Sequence, residues 1–249
     1  MKHAERRHLK DNELAIALAH ANEWRVSNQR TLTMAVAAAV LVAAAVVGFM
    51  TWRNSVDAKA RALLAEAMVV EEARVQPPAS PAPASGNATP AAPVQPPNTY
   101  PTEKAKLEAA LPKLVAAADA YPSTDAGQTA RYHAASALVG LGRFDEAIAQ
   151  YDRVIAAGSK LLAQMARLGK AEAQLRASQY DAAIASFKDL SEKTDTGVPK
   201  EALLMELARA YKLAGKAEEA RKTLNQIVEQ HADSPFASEA RSELEKIKG

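Results

Sequence analysis

Five histidines, a few adjacent carboxylates and no cysteine are the reactive groups of this 249-residue chain. His3, His8, His20, His133 and His231 could ligate a metal or carry a proton. No two of them stand four residues apart, where one helix face would offer both rings to one ion. Neighbouring acids such as Glu71 and Glu72 diverge around a helix and do not converge on a substrate proton. Without cysteine there is neither a disulfide nor a thiolate metal site. Glycine-rich phosphate loops and nucleophile elbows are missing too. Asn87-Ala88-Thr89 spells a glycosylation acceptor, a triplet that arises by chance in Ser/Thr-rich linkers. The expectation is a binding protein with no catalytic residue, metal or cofactor.

Charge narrows the partners. The formal net charge is +2, and residues 102–249 hold 21 Lys plus Arg against 21 Asp plus Glu, so the excess lies upstream. No basic stripe is present to displace counterions from a phosphate backbone, which argues against nucleic acid. Asp145-Glu146 and Glu218-Glu219 read as solvated helix faces.

The elements that would present a binding surface follow from a repeated cadence. Phe144-Asp145-Glu146-Ala147 with Tyr151, Tyr180-Asp181-Ala182-Ala183 with Phe187, and Ala217-Glu218-Glu219-Ala220 with Leu224 place their alanines 36 and 37 residues apart. That is close to the roughly 34-residue period of a helical-hairpin solenoid. Such a hairpin cannot bury its apolar face alone, so copies stack. Gly142 and Gly215 mark the turns inside the first and third copies, and Ser178 takes that place in the second. Ala208, Tyr211, Gly215 and Ala220 match the tetratricopeptide pattern of small residue, aromatic, turn glycine and second small residue. The second copy departs from it, with Lys170, Ala171 and Gln174 at the matching places. Its first helix is expected to be shifted in register or longer.

Flanking segments read as the ends of the array. Glu103 to Tyr121 fits the second helix of a truncated repeat, stopped by Pro122-Ser123-Thr124-Asp125. Ser234 and Pro235 start a last helix, Phe236 to Lys248, as N-cap and first helical residue.

Upstream, residues 31–52 contain no charged side chain and are long enough to cross a hydrocarbon layer, which takes about 20 residues. A cleaved signal has an apolar region of only about 7 to 15 residues, so an uncleaved signal anchor is favoured over a cleaved signal or a buried core helix. Lys2, Arg6, Arg7, Lys10, Arg25 and Arg30 precede it, against Arg53, Lys59 and Arg61 just after it. Positive-inside counting then puts the N-terminus in the cytoplasm. Val56, Ala60, Leu63, Ala67 and Val70 continue as a heptad-like seam, a candidate surface for a homo-oligomer. Residues 76–101 hold nine of the thirteen prolines and read as an extended spacer.

The expected fold class is therefore all-α: a single N-terminal transmembrane helix, a Pro/Ala-rich linker, and a tetratricopeptide-like α-solenoid of about three helical hairpins plus flanking helices. The expected division is a cytoplasmic tail (1–30), a signal anchor (31–52), a juxtamembrane helix (53–75), a proline-rich linker (76–101) and the repeat domain (102–249).

Ser55-Val56-Asp57-Ala58-Lys59-Ala60, Tyr121-Pro122-Ser123-Thr124 and Ala166-Arg167-Leu168-Gly169-Lys170-Ala171, together with the anchor, resemble the YfgM-like ancillary SecYEG translocon subunit family. The resemblance covers about residues 31–75 and 102–248. It implies a single-pass protein of the bacterial inner membrane with an extracytoplasmic, periplasmic repeat domain. Its implied partners are the SecYEG translocon, periplasmic chaperones or exported clients. The proline-rich linker and the N-terminal tail depart from that pattern, and leave open a scaffold for assembly of another cell-envelope complex.

By analogy with tetratricopeptide arrays, the first helix of each hairpin lines the concave side. Tyr132, Met165, Leu168, Leu175 and Met205 are then the candidate peptide-binding groove. The lysine and asparagine that grip a peptide carboxylate in this superfamily are missing. An apolar, methionine-bearing surface suits varied hydrophobic segments. The same five residues also fit an interhelical core.

Overall fold

A computed structural model describes residues 16, 18–20, 22–78, 95–193 and 197–248, and its chain divides into two compact units with the boundary between Ser55 and Val56. In the first unit the main feature is the start of α1 (Gln29–Glu71), a helix of 43 residues. It contains the uncharged run 31–52, in which Met34, Val40, Leu41, Val47, Phe49 and Met50 are all exposed. The helix is long and apolar enough to cross a membrane, with a mean hydropathy of 2.5 over its most apolar window and none of that window buried by protein. In a helix all backbone groups are bonded internally, so lipid needs to satisfy none of them. Of the expected tail, residues 1–15, 17 and 21 lie outside the described residues.

Among its described residues the second unit is helical apart from two short strands. It comprises the end of α1, then β1 (Arg74–Val75), β2 (Thr99–Tyr100) and α2 (Glu103–Ala120). Next come α3 (Asp125–Gly140) with α4 (Phe144–Ala157), α5 (Lys160–Arg176) with α6 (Tyr180–Glu192), α7 (Lys200–Leu213) with α8 (Ala217–Gln230), and α9 (Phe236–Lys248). The three hairpins α3–α4, α5–α6 and α7–α8 carry the cadence read from sequence. Ala147, Ala183 and Ala220 are completely buried, and Tyr151, Phe187 and Leu224 fill the space one turn further on. Small residues let the helix axes close, and the large residue beside each completes the packing.

Each hairpin turns in the same way. Gly142, Ser178 and Gly215 all adopt left-handed backbone, with φ of 75°, 59° and 74°. Arg143, Gln179 and Lys216 donate their amides to Leu138, Gln174 and Tyr211, each at 2.9 Å, closing the same six-residue loop at the helix C-terminus. Ser178 is the costly member, because a Cβ in this region is disfavoured by about 1 kcal/mol. Ser178→Gly is expected to stabilise the protein by up to about 1 kcal/mol, read as a higher urea midpoint with an unchanged slope.

The second copy keeps register. Ala171 lies seven residues before Ser178, as Ala208 lies seven before Gly215, and both are buried. Gln174 takes the place of Tyr211; its buried amide is satisfied by the Ser186 hydroxyl, which donates to Oε1 at 2.8 Å. The first helix α5 has 17 residues, against 16 in α3 and 14 in α7.

A further hairpin precedes these three. Ala110, Leu114 and Ala117 on α2 are buried at the spacing of Ala147, Tyr151 and Val154 on α4, 37 residues earlier, so α2 is a second helix in want of a first. The end of α1 supplies it. Ala60 and Ala67 are buried seven residues apart, like Ala130 and Ala137, Ala166 and Ala173, and Leu203 and Ala210. Ala67 and Val70 join the core around Leu107, Leu111 and Leu138, while Leu64 packs against Ala117, Ala118 and Ala130. Glu66 pairs with Lys113, and Glu71 accepts from His133 Nδ1 at 3.1 Å.

Two expectations change here. The seam proposed for self-association is largely spent within the chain, since Ala60, Ala67 and Val70 face the repeats and Leu63 points away at 37% exposure. The middle of the segment read as a spacer, 79–94, lies outside the described residues, but its ends lie side by side. β1 pairs in parallel with β2, Gln76 donates its amide to Tyr100 at 2.9 Å, and Gln95 Nε2 donates to the Gln76 carbonyl at 2.9 Å. A segment whose ends are bonded does not hold its flanks apart.

Caps fix where the flanking helices begin. Thr102 accepts from the Ala105 amide, and Thr124 from Gly127. Ser234 accepts from Phe236 across Pro235, the N-cap and first-turn proline expected from sequence.

Candidate functional site

Three of the five groove candidates occupy one structural position. Tyr132, Leu168 and Met205 lie ten residues before the left-handed residues Gly142, Ser178 and Gly215, on α3, α5 and α7. All three are half-buried: Tyr132 packs on a first core cluster, around Leu107, Leu111 and Leu138, and Leu168 and Met205 on a second, around Phe187, Leu203 and Leu207. Tyr132 meets Tyr151 edge-on with ring centroids 5.7 Å apart. Met165 is 43% exposed, and Leu161 one turn earlier is 67% exposed. Leu175 is buried inside the second cluster, which leaves it little surface for a ligand.

One helical turn beyond that stripe stands a polar row that sequence reasoning missed: Ser136, Glu172 and Arg209, each four residues on from Tyr132, Leu168 and Met205. Residues four apart share a helix face, so the row was legible had the candidate stripe been extended by one turn. Ser136 Oγ lies 3.2 Å from the Tyr151 hydroxyl. Burial pushes the Tyr151 phenol up to about 12, with the Ser136 hydrogen bond opposing. Burial also raises Tyr132, and the Glu172 carboxylate adds to it. Gly169 makes this arrangement possible, because a Cβ there would sit 2.6 Å from the Tyr151 ring.

Glu172 combines exposure to solvent with a carboxyl raised first by desolvation, then by Glu206, with Arg176 opposing. His133, read as a surface residue, is instead half-buried against the Glu71 carboxylate at 3.0 Å.

Beyond Met205 the face opens into a cleft of about 430 Å³ lined by Glu206, Arg209, Lys212, Leu213, Glu239 and Ile247 among others. Its wall is pinned by Glu243, which accepts from Lys212 at 2.6 Å and Lys246 at 2.7 Å. Those two ammonium groups hold its carboxyl at about 2, below the ordinary 4.5. A depressed carboxyl contributes stability that is whole above its unfolded value and is lost as pH falls through the folded one. Acidification from about pH 4.5 to about pH 2 is expected to loosen α9 from α7. Faster proteolysis of α9 by an acid-active protease, reduced in a Lys212→Met, Lys246→Met variant relative to its own pH 5 rate, would measure it. Among the described residues no three His, Asp or Glu side chains gather as metal ligands.

Comparison with known proteins agrees with this geometry. Two tetratricopeptide-repeat family profiles match residues 132–197 and 174–244. The crystal structure of a Podosopora anserina putative kinesin light chain with nearly identical TPR-like repeats is similar at 20% identity and a TM-score of 0.50. It covers 57% of this chain and 77% of that one. MamA 41-end from Desulfovibrio magneticus RS-1 is 18% identical with a TM-score of 0.43, over 57% of this chain and 86% of that one. No curated protein matches the chain. The fold is thus an all-α repeat array following one long apolar helix, and repeats of this kind serve protein–protein interaction. Residues 132–244 are similar to tetratricopeptide repeats.

Proposed function

We propose that this chain is a membrane-anchored adaptor whose repeats hold segments of other polypeptides, acting as a translocon-associated, chaperone-like subunit in protein export. What carries the reading is the joining, in one chain, of tetratricopeptide repeats to a helix able to span a membrane. The held segment lies along the stripe of Tyr132, Leu168 and Met205, with Met165 beside it and Leu175 as its support from below. Lys and Arg favour the N-terminal side of the anchor, so the repeats face the periplasm of a bacterium and the tail stays in the cytoplasm.

Mild detergent extraction followed by affinity purification tests the role. Translocon components among the proteins retained support it, and a different envelope complex in their place would favour an assembly scaffold. Orientation is tested separately by a periplasm-dependent phosphatase fused after Gly249. An inactive fusion, paired with an active cytoplasmic reporter at the same place, overturns the export reading.

A further inference from the structure

We draw no further inference here: the strongest candidate, the outward face of the end of α1, where Ala58, Ala62, Ala65 and Val69 stand exposed opposite the buried Ala60 and Ala67, is a stripe of small apolar residues, and nothing in the structure shows what covers it.

Discussion

A protease site introduced within residues 79–94 and cut to completion is expected to leave the repeats in the membrane fraction. The cut severs the only covalent link between α1 and the repeats, yet the end of α1 stays packed as the missing first helix of a hairpin. Ala60 and Ala67 are buried, Leu64 sits on Ala117 and Ala130, and Glu66 and Glu71 reach Lys113 and His133. A free spacer would behave oppositely, releasing the domain at the first cut. Ala67→Asp supplies the second arm, because Ala67 has no exposed surface and an unpaired carboxylate there costs several kcal/mol. In that variant the same cut is expected to shed residues 95–249 into the soluble fraction, while the uncut variant stays bound. Release of the native protein on cutting would show that this helix is not held.

Phe187→Ala is expected to cost about 3–5 kcal/mol, the usual range for emptying a fully buried aromatic site. Phe187 has no exposed surface and lies in the cluster with Ala171, Leu190, Leu203 and Leu207, so the hole opens where two hairpins meet. Phe187→Leu is expected to cost less than about 2 kcal/mol, since Leu224 fills the equivalent place in the next hairpin. Urea unfolding of the full chain followed by circular dichroism measures both. Because repeat arrays are stabilised largely by neighbour contacts, the alanine variant is also expected to separate the unfolding of α3–α4 from that of α7–α8. Equal costs for the two substitutions would mean that shape at this site matters less than the packing suggests.

What could be read from sequence was what recurs. Ala147, Ala183 and Ala220 declare the period because a small residue must appear wherever two helix axes cross closely. Gly142 and Gly215 declare the turns, and Ser178 was recognisable by place though its type hides the left-handed backbone. The role of α1 was not legible. Its buried face is alanine, whose pattern is weak in an alanine-rich stretch, and its partners on α2 and α3 lie beyond a proline-rich segment that reads as a separator. The parallel pairing of Arg74–Val75 with Thr99–Tyr100 involves two residues on each side, too few for any strand pattern. At the candidate site, Tyr132, Leu168 and Met205 follow from the analogy with tetratricopeptide arrays, whose first helices line the concave side. Glu172 reads in the sequence as one more solvated helix charge, and the desolvation that raises its carboxyl appears only in the folded chain.

The bonded neck formed by Gln76, Gln95 and Tyr100 makes the number of residues between its two sides nearly irrelevant to the fold. Ring-closure entropy grows only logarithmically, by about 0.6 kcal/mol for each doubling of length. A tag, a fluorescent domain or a longer natural insert could therefore be accommodated at this point, making it the natural port for instrumenting the protein.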